Sequence, residues 1–207
     1  MSKTTKLQIL NAAESLFASH GFVNTSMRMI TQQADVNLAA VNYHFGSKKN
    51  LIQSVLQRYF DEAIPLMDDN LQQWLQSGSQ SSISLVESLA LPLIEMEKKK
   101  PRSIALFVQL LGRGYSETQG HLRAFIMSNY GSTIETMLTA FERLLPNVGR
   151  DEIFWRLHFA LGSCVFSLSS TKALTEIAMA DFDQSPSIES MIKRLISFVA
   201  SGIESSH

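Results

Sequence analysis

Along nearly the whole chain apolar residues recur three and four positions apart, the spacing that lines one side of an α-helix. Almost nowhere do they alternate in the two-residue rhythm of a strand. Only five prolines and ten glycines punctuate the 207 residues, so breaks are few and the helices between them long. The pattern predicts an all-α fold of about nine helices. With 45% hydrophobic residues the chain has ample material for a buried core, which excludes a disordered chain.

The first helix is expected over residues 4–20, with Ile9, Leu10, Ala13, Leu16 and Phe17 as its apolar stripe and Gly21 as its stop. A second begins after Thr25 or Ser26, either of which can cap it, and buries Met27, Ile30 and Ala34. A turn over residues 35–37 leads to a third helix over 38–44, ended by Gly46. Ser47 then caps a long fourth helix from Lys48 that carries Leu51, Val55 and Tyr59 inward. Polar or proline-containing breaks follow at 77–84, 98–102, 146–151 and 181–187. A domain boundary is expected inside the fourth helix near Tyr59, giving residues 1–60 and 61–207 as two domains.

The formal net charge of −1 argues against a protein that coats nucleic acid by bulk positive charge. Divided at the boundary, the picture changes. Residues 1–60 carry six Lys and Arg against two Asp and Glu, a balance of +4, and the remainder carries twelve against seventeen, a balance of −5. A basic head thus precedes an acidic body.

Two short helices joined by a turn of about three residues have the geometry of a helix-turn-helix, whose second helix enters the DNA major groove. In that helix Leu38 and Val41 are expected to face the core, leaving Ala39, Ala40, Asn42, Tyr43 and His44 outward. Small side chains let a helix approach base edges and touch thymine methyls, and an asparagine amide matches the adenine edge. Tyr43, His44 and Lys48 are suited to phosphates, and the capped helix start at Thr25 and Ser26 is an anion site. The aromatic run Tyr43, His44 and Phe45 also fits ordinary packing, with the lysines as a solvated face.

Residues 9–22 (ILNAAESLFASHGF), 25–30 (TSMRMI), Ala34-Asp35-Val36 and 41–51 (VNYHFGSKKNL) resemble the DNA-binding head of the TetR family of one-component repressors. The resemblance implies that Arg28 reads a base and that Thr25, Tyr43, His44 and Lys48 hold phosphates. This chain has Asp35 where the family commonly has a turn glycine, and aspartate tolerates the left-handed conformation. Asn37 stands at the usual serine cap, a role both residues fill.

Residues 107–122 and 154–182, with 36–49, also resemble the PsrA-type branch of that family. That likeness implies a repressor of fatty-acid degradation genes that leaves DNA on binding a long-chain acyl ligand. A body sensing drugs or other hydrophobic molecules is the alternative. Among polar residues of the body, Arg113, His121, Arg123 and His158 are the candidates for a fatty-acid or acyl-CoA head group, although His158 also reads as a hydrogen-bonded core histidine. Lys98, Lys99, Lys100 and Arg102 read as a solvated loop, or as an attraction for a phosphorylated carrier such as coenzyme A.

A helix over 151–174 has two apolar faces, Phe154, Leu157, Leu161, Val165 and Leu168 on one and Trp155, Phe159, Gly162 and Phe166 on the other. The last helix, 187–203, makes the same demand through residues that include Leu195, Phe198 and Val199. Two such helices from each of two chains make a four-helix homodimer interface, and a dimer presents two heads to an inverted repeat.

No nucleophile–base pair, glycine-rich phosphate loop or metal-ligand spacing is present, so no catalytic role, cofactor or metal is expected. A helical lipid carrier or enzyme is the distant rival. The lone Cys164 excludes a disulfide framework and reads as a small buried hydrophobe. No secretory signal opens the sequence, and the uncharged stretch between Arg156 and Lys172 is shorter than the ~20 residues of a membrane span. A soluble, cytoplasmic protein without a membrane partner is the expectation.

Overall fold

The computed structural model describes residues 3–117 and 120–205; Thr118 and Gln119, inside the 107–122 stretch singled out above, lie outside it. Ten helices and no strand occur among the described residues. They are α1 (Lys3–Asn24), α2 (Met27–Gln33), α3 (Leu38–Phe45), α4 (Lys48–Ser77), α5 (Ser82–Lys99), α6 (Ser103–Ser116), α7 (Gly120–Leu144), α8 (Arg150–Ser169), α9 (Thr171–Phe182) and α10 (Ile188–Glu204). The helix expected over 151–174 is two, α8 and α9, broken at Ser170, whose φ of −99° and ψ of 14° leave the helical range.

The chain divides into two compact units. One comprises the chain up to Asp61 together with Gln109–Asn129, and the other Glu62–Val108 with the chain from Tyr130 onward. Helices α4, α6 and α7 therefore each contribute residues to both.

In the first unit α1, α2 and α3 pack on one another around Ile9, Phe17, Phe22, Ile30 and Val41, none of them exposed. Phe17 and Phe22 meet edge to face at 5.3 Å. Gly21, at φ 83° and ψ 169°, breaks α1 one turn before its end, a conformation that penalises any side chain. The helix starts are fixed locally. Ser26 Oγ accepts from Met29 N at 3.1 Å, Asn37 Oδ1 from Ala40 N at 2.8 Å and Ser47 Oγ from Asn50 N at 3.1 Å. Asp35 takes the left-handed conformation at φ 52° in the turn between α2 and α3.

The second unit is built around α10, which packs on α5 and α8. Its core contains Leu71, Trp74, Leu85, Ile104, Phe141, Ile153, Ile192 and Val199. Arg143 donates to Leu75 O at the end of α4, and Arg156 donates to Ile203 O at 2.7 Å at the end of α10, so two guanidinium groups cap helix carbonyls.

Candidate nucleic-acid interface

The turn between α2 and α3 presents an open polar cleft lined by Arg28, Thr31, Gln32, Asp35, Val36 and Asn37. Arg28 is exposed on α2. On α3, Ala39, Asn42 and Tyr43 are exposed, Tyr43 to 74%, so these side chains are available to a duplex.

Two residues of α3 face opposite to expectation. Leu38 is half exposed and Ala40 is buried to 3%. Asn37 starts the helix, so its first turn carries Leu38 over the turn instead of under it, and Ala40 with Val41 fills the contact to α1 and α2. The small Ala40 side chain therefore brings α3 close to its own core and is not offered to thymine methyls.

Thr25 also differs from a simple phosphate ligand. It is fully buried, and its hydroxyl donates to Gly21 O at 2.7 Å and lies 3.1 Å from Leu16 O. Its side chain thus ties the α1–α2 corner together, while the exposed Ser26 caps α2. His44 is half-buried between Tyr43 and Phe45, with ring centroids at 5.1 and 6.2 Å. Lys48 lies at the start of α4, where its ammonium donates to Val23 O at 3.3 Å. Burial lowers its pKa, and the nearby Glu117 carboxylate opposes that shift.

The polar candidates of the body are divided between the two units. Arg113, His121 and Arg123 fall in the first unit, on α6 and α7. Arg123 is exposed, and His121 Nδ1 lies 3.5 Å from Gln53 Nε2. Partial burial and the Lys49 charge lower the His121 pKa. His158 is in the second unit, its ring 4.0 Å from that of Phe154 and its Nδ1 2.7 Å from Phe154 O. Lys98 and Lys99 engage Glu95 at 2.7 Å and Glu62 at 3.4 Å, so their charges have partners within the second unit.

Helix α8 exposes Trp155, Phe159 and Phe166 to 54, 68 and 63%, with the Trp155 and Phe159 rings stacked at 6.1 Å. Gly162 shares the exposed surface. Phe154, assigned above to the inner face, is itself half exposed, and Ile153 takes the buried position. On α10, Phe198 is exposed, whereas Val199 is buried and Leu195 packs partly buried against the core. Val199 is thus part of the subunit's own interior and unavailable to a partner. Cys164 is half-buried, and that burial pushes its thiol up from its ordinary pKa. Among the described residues no cluster of side chains suits a metal ion, and no helix is long and apolar enough to cross a membrane.

Sequence reasoning missed Glu117. Its carboxylate accepts hydrogen bonds from the backbone amides of Phe22 at 3.1 Å and Val23 at 2.6 Å. No local pattern marks it, because those partners are more than ninety residues away.

A helix-turn-helix carried by a three-helix unit and followed by a helical body defines a class of DNA-binding regulators. Residues 9–55 match the family described as bacterial regulatory proteins, tetR family, and residues 87–202 match the tetracyclin repressor-like C-terminal domain. The chain belongs to the TetR family of transcriptional regulators, and its relatives are regulators, not enzymes.

It is 36% identical over 61 residues to the probable HTH-type transcriptional regulator YttP of Bacillus subtilis, a match covering 30% of each chain. It is 23% identical over 118 residues to the HTH-type transcriptional regulator UidR of Escherichia coli K12, covering 57% of this chain and 56% of that one. The chain thus spans less than two thirds of either relative's length. Among solved structures, an alanine-substituted mutant of HlyIIR aligns over 100% of both chains with a TM-score of 0.60 and 19% identity. A TetR-like regulator from Rhodococcus sp. RHA1 aligns over 100% of both with a TM-score of 0.57 and 18% identity. At such identities these two structures support the fold alone.

Proposed function

We propose that this regulator is a cytoplasmic repressor that binds an inverted-repeat operator as a homodimer and releases it when a long-chain acyl ligand occupies the body. Residues 1–60 form the DNA-binding domain and 61–207 the ligand-binding and dimerisation domain. The observation that carries the reading is the α2–α3 surface, where Arg28, Asn42 and Tyr43 stand exposed on helices whose other sides are buried. Arg28 and Asn42 read bases, while Tyr43, His44, Lys48 and the capped start of α2 hold phosphates.

Arg28→Ala is expected to weaken operator binding by ~1–3 kcal/mol and relax base preference at one position of each half-site. Lys48→Ala weakens binding to all sequences and flattens the salt dependence. Fluorescence anisotropy against operator and scrambled duplexes at several salt concentrations distinguishes the two. A wild-type protein that binds no inverted repeat even at low salt overturns the reading.

The acyl assignment is supported by the likeness of residues 107–122 and 154–182 to the fatty-acid-responsive branch, and the genes implied are those of fatty-acid degradation. Arg113 and His121, both half-buried, are the groups we assign to the ligand head. Ligand binding favours a separation of the two heads that no longer matches successive major grooves. Long-chain fatty acids or acyl-CoA, titrated into the protein, are expected to raise its melting temperature and release operator. If both stay unchanged while a panel of hydrophobic drugs produces the effect, the effector is of the drug class instead.

A further inference from the structure

Gly21 turns the chain out of the α1 helix, and the next two backbone amides, of Phe22 and Val23, point together toward one side. Adjacent N–H groups arranged in this way form a concavity that favours an anion. The anion that fills it belongs to the chain itself, the carboxylate of Glu117, one oxygen to each amide. The fit is close, because a Cβ at Gly21 would collide with that carboxylate. The carbonyl of Val23, in the next peptide group, accepts a hydrogen bond from the Lys48 ammonium at 3.3 Å. The Thr25 hydroxyl closes the corner from within through Leu16 O and Gly21 O. Glu117 therefore sits at the base of a short assembly that ends in the phosphate-binding lysine and the cap of α2.

From this geometry we infer that Glu117 is a positioning residue for DNA binding, holding the Gly21–Ser26 corner so that Lys48 and the start of α2 face the phosphate backbone together. The inference rests on the proposed DNA-binding role of Lys48. The residue directly follows α6, a helix that supplies residues to both units, and it lies within the stretch matched to the family's C-terminal domain. A charge-assisted acceptor for two amides is a strong local restraint, and it also places a negative charge near Lys48.

The test uses the full chain and the variants Glu117→Ala and Glu117→Gln. Amide exchange followed by nuclear magnetic resonance reads the corner without DNA. Phe22 and Val23 are expected to exchange on the order of tenfold faster in Glu117→Ala, with Glu117→Gln, which keeps one acceptor oxygen, in between. Operator and scrambled duplexes are both expected to bind Glu117→Ala about tenfold more weakly, and Glu117→Gln is expected to recover part of that loss. In a Lys48→Ala background the further effect of Glu117→Ala shrinks to within about twofold, because the lysine it positions is gone.

Unchanged amide exchange overturns the inference, as does a Glu117→Ala effect that is undiminished in the Lys48→Ala background. If Glu117→Ala does not fold, Glu117→Gln carries the same comparisons. Should the wild-type protein bind no DNA, the proposed function and the positioning role both fall, while the exchange measurement still reports whether Glu117 holds the corner.

Discussion

Arg58→Met is expected to destabilise the N-terminal unit by about 3 kcal/mol, seen as an earlier transition in a denaturant titration. The reason is a carboxylate buried among helices. Glu14 is only 6% exposed, and its oxygen lies 3.3 Å from the Arg58 guanidinium, which also donates to Asn11 Oδ1 at 3.0 Å. Tyr59 is buried in the same region, and that burial together with the Glu14 charge raises its pKa. Removing the arginine leaves a buried charge facing neutral groups, which is worse than having no charge there. The figure is taken at the low end for buried pairs because the guanidinium keeps some access to water. Adding Glu14→Leu to Arg58→Met is accordingly expected to restore most of the loss. A single variant within about 0.5 kcal/mol of wild type would show that the pair contributes nothing distinctive to the unit.

The second large effect concerns association. In the proposed dimer, Phe159→Lys places a charge on the exposed aromatic face of α8 that carries Trp155, Phe159 and Phe166. Aromatic anchors at the middle of an interface are commonly worth ~2–4 kcal/mol each, a change of 30- to 1,000-fold in dissociation constant. Sedimentation at micromolar concentration is expected to show a monomer, with operator affinity reduced because the second half-site is no longer held by the same particle. Phe159 is 68% exposed in the single chain, so intact far-ultraviolet circular dichroism is expected to accompany the dissociation. Val199→Ala is the contrasting case, since it removes a buried core side chain and lowers stability without acting on the surface. A Phe159→Lys protein that sediments as a dimer would refute this placement of the interface.

Much of the architecture was legible in the sequence because its determinants are local. Ser26, Asn37 and Ser47 cap helices through amides three residues ahead, and Gly21 and Gly46 adopt positive φ where the apolar stripes stop. The break at Ser170 was hidden because helical periodicity continues through it, and only the backbone angles mark the change. The exchange of Leu38 and Ala40 arises in the first turn of α3, where one residue of phase decides which side chain is covered. Phe154 and Val199 are similar cases, since an apolar residue on a helix with two apolar faces suits either. Glu14 and Glu117 were beyond sequence reasoning for another reason. A carboxylate's role depends on which donor reaches it, and here those donors come from distant segments.

Helix α9 buries none of its twelve residues in the single chain, and Ile177, Met179 and Phe182 stand exposed. Its inward row, Thr171, Leu174, Thr175 and Ala178, is only partly buried, and a helix of that length with so little packing gains little over an isolated peptide, which is marginal in water. Unless something covers it, its hydrogen bonds open far more often than those of α8 or α10. A protease in the cell would then meet this segment first, and a single cut there would separate α10 from the rest of the polypeptide backbone. Any cover over α9 would therefore also protect the chain from that cut.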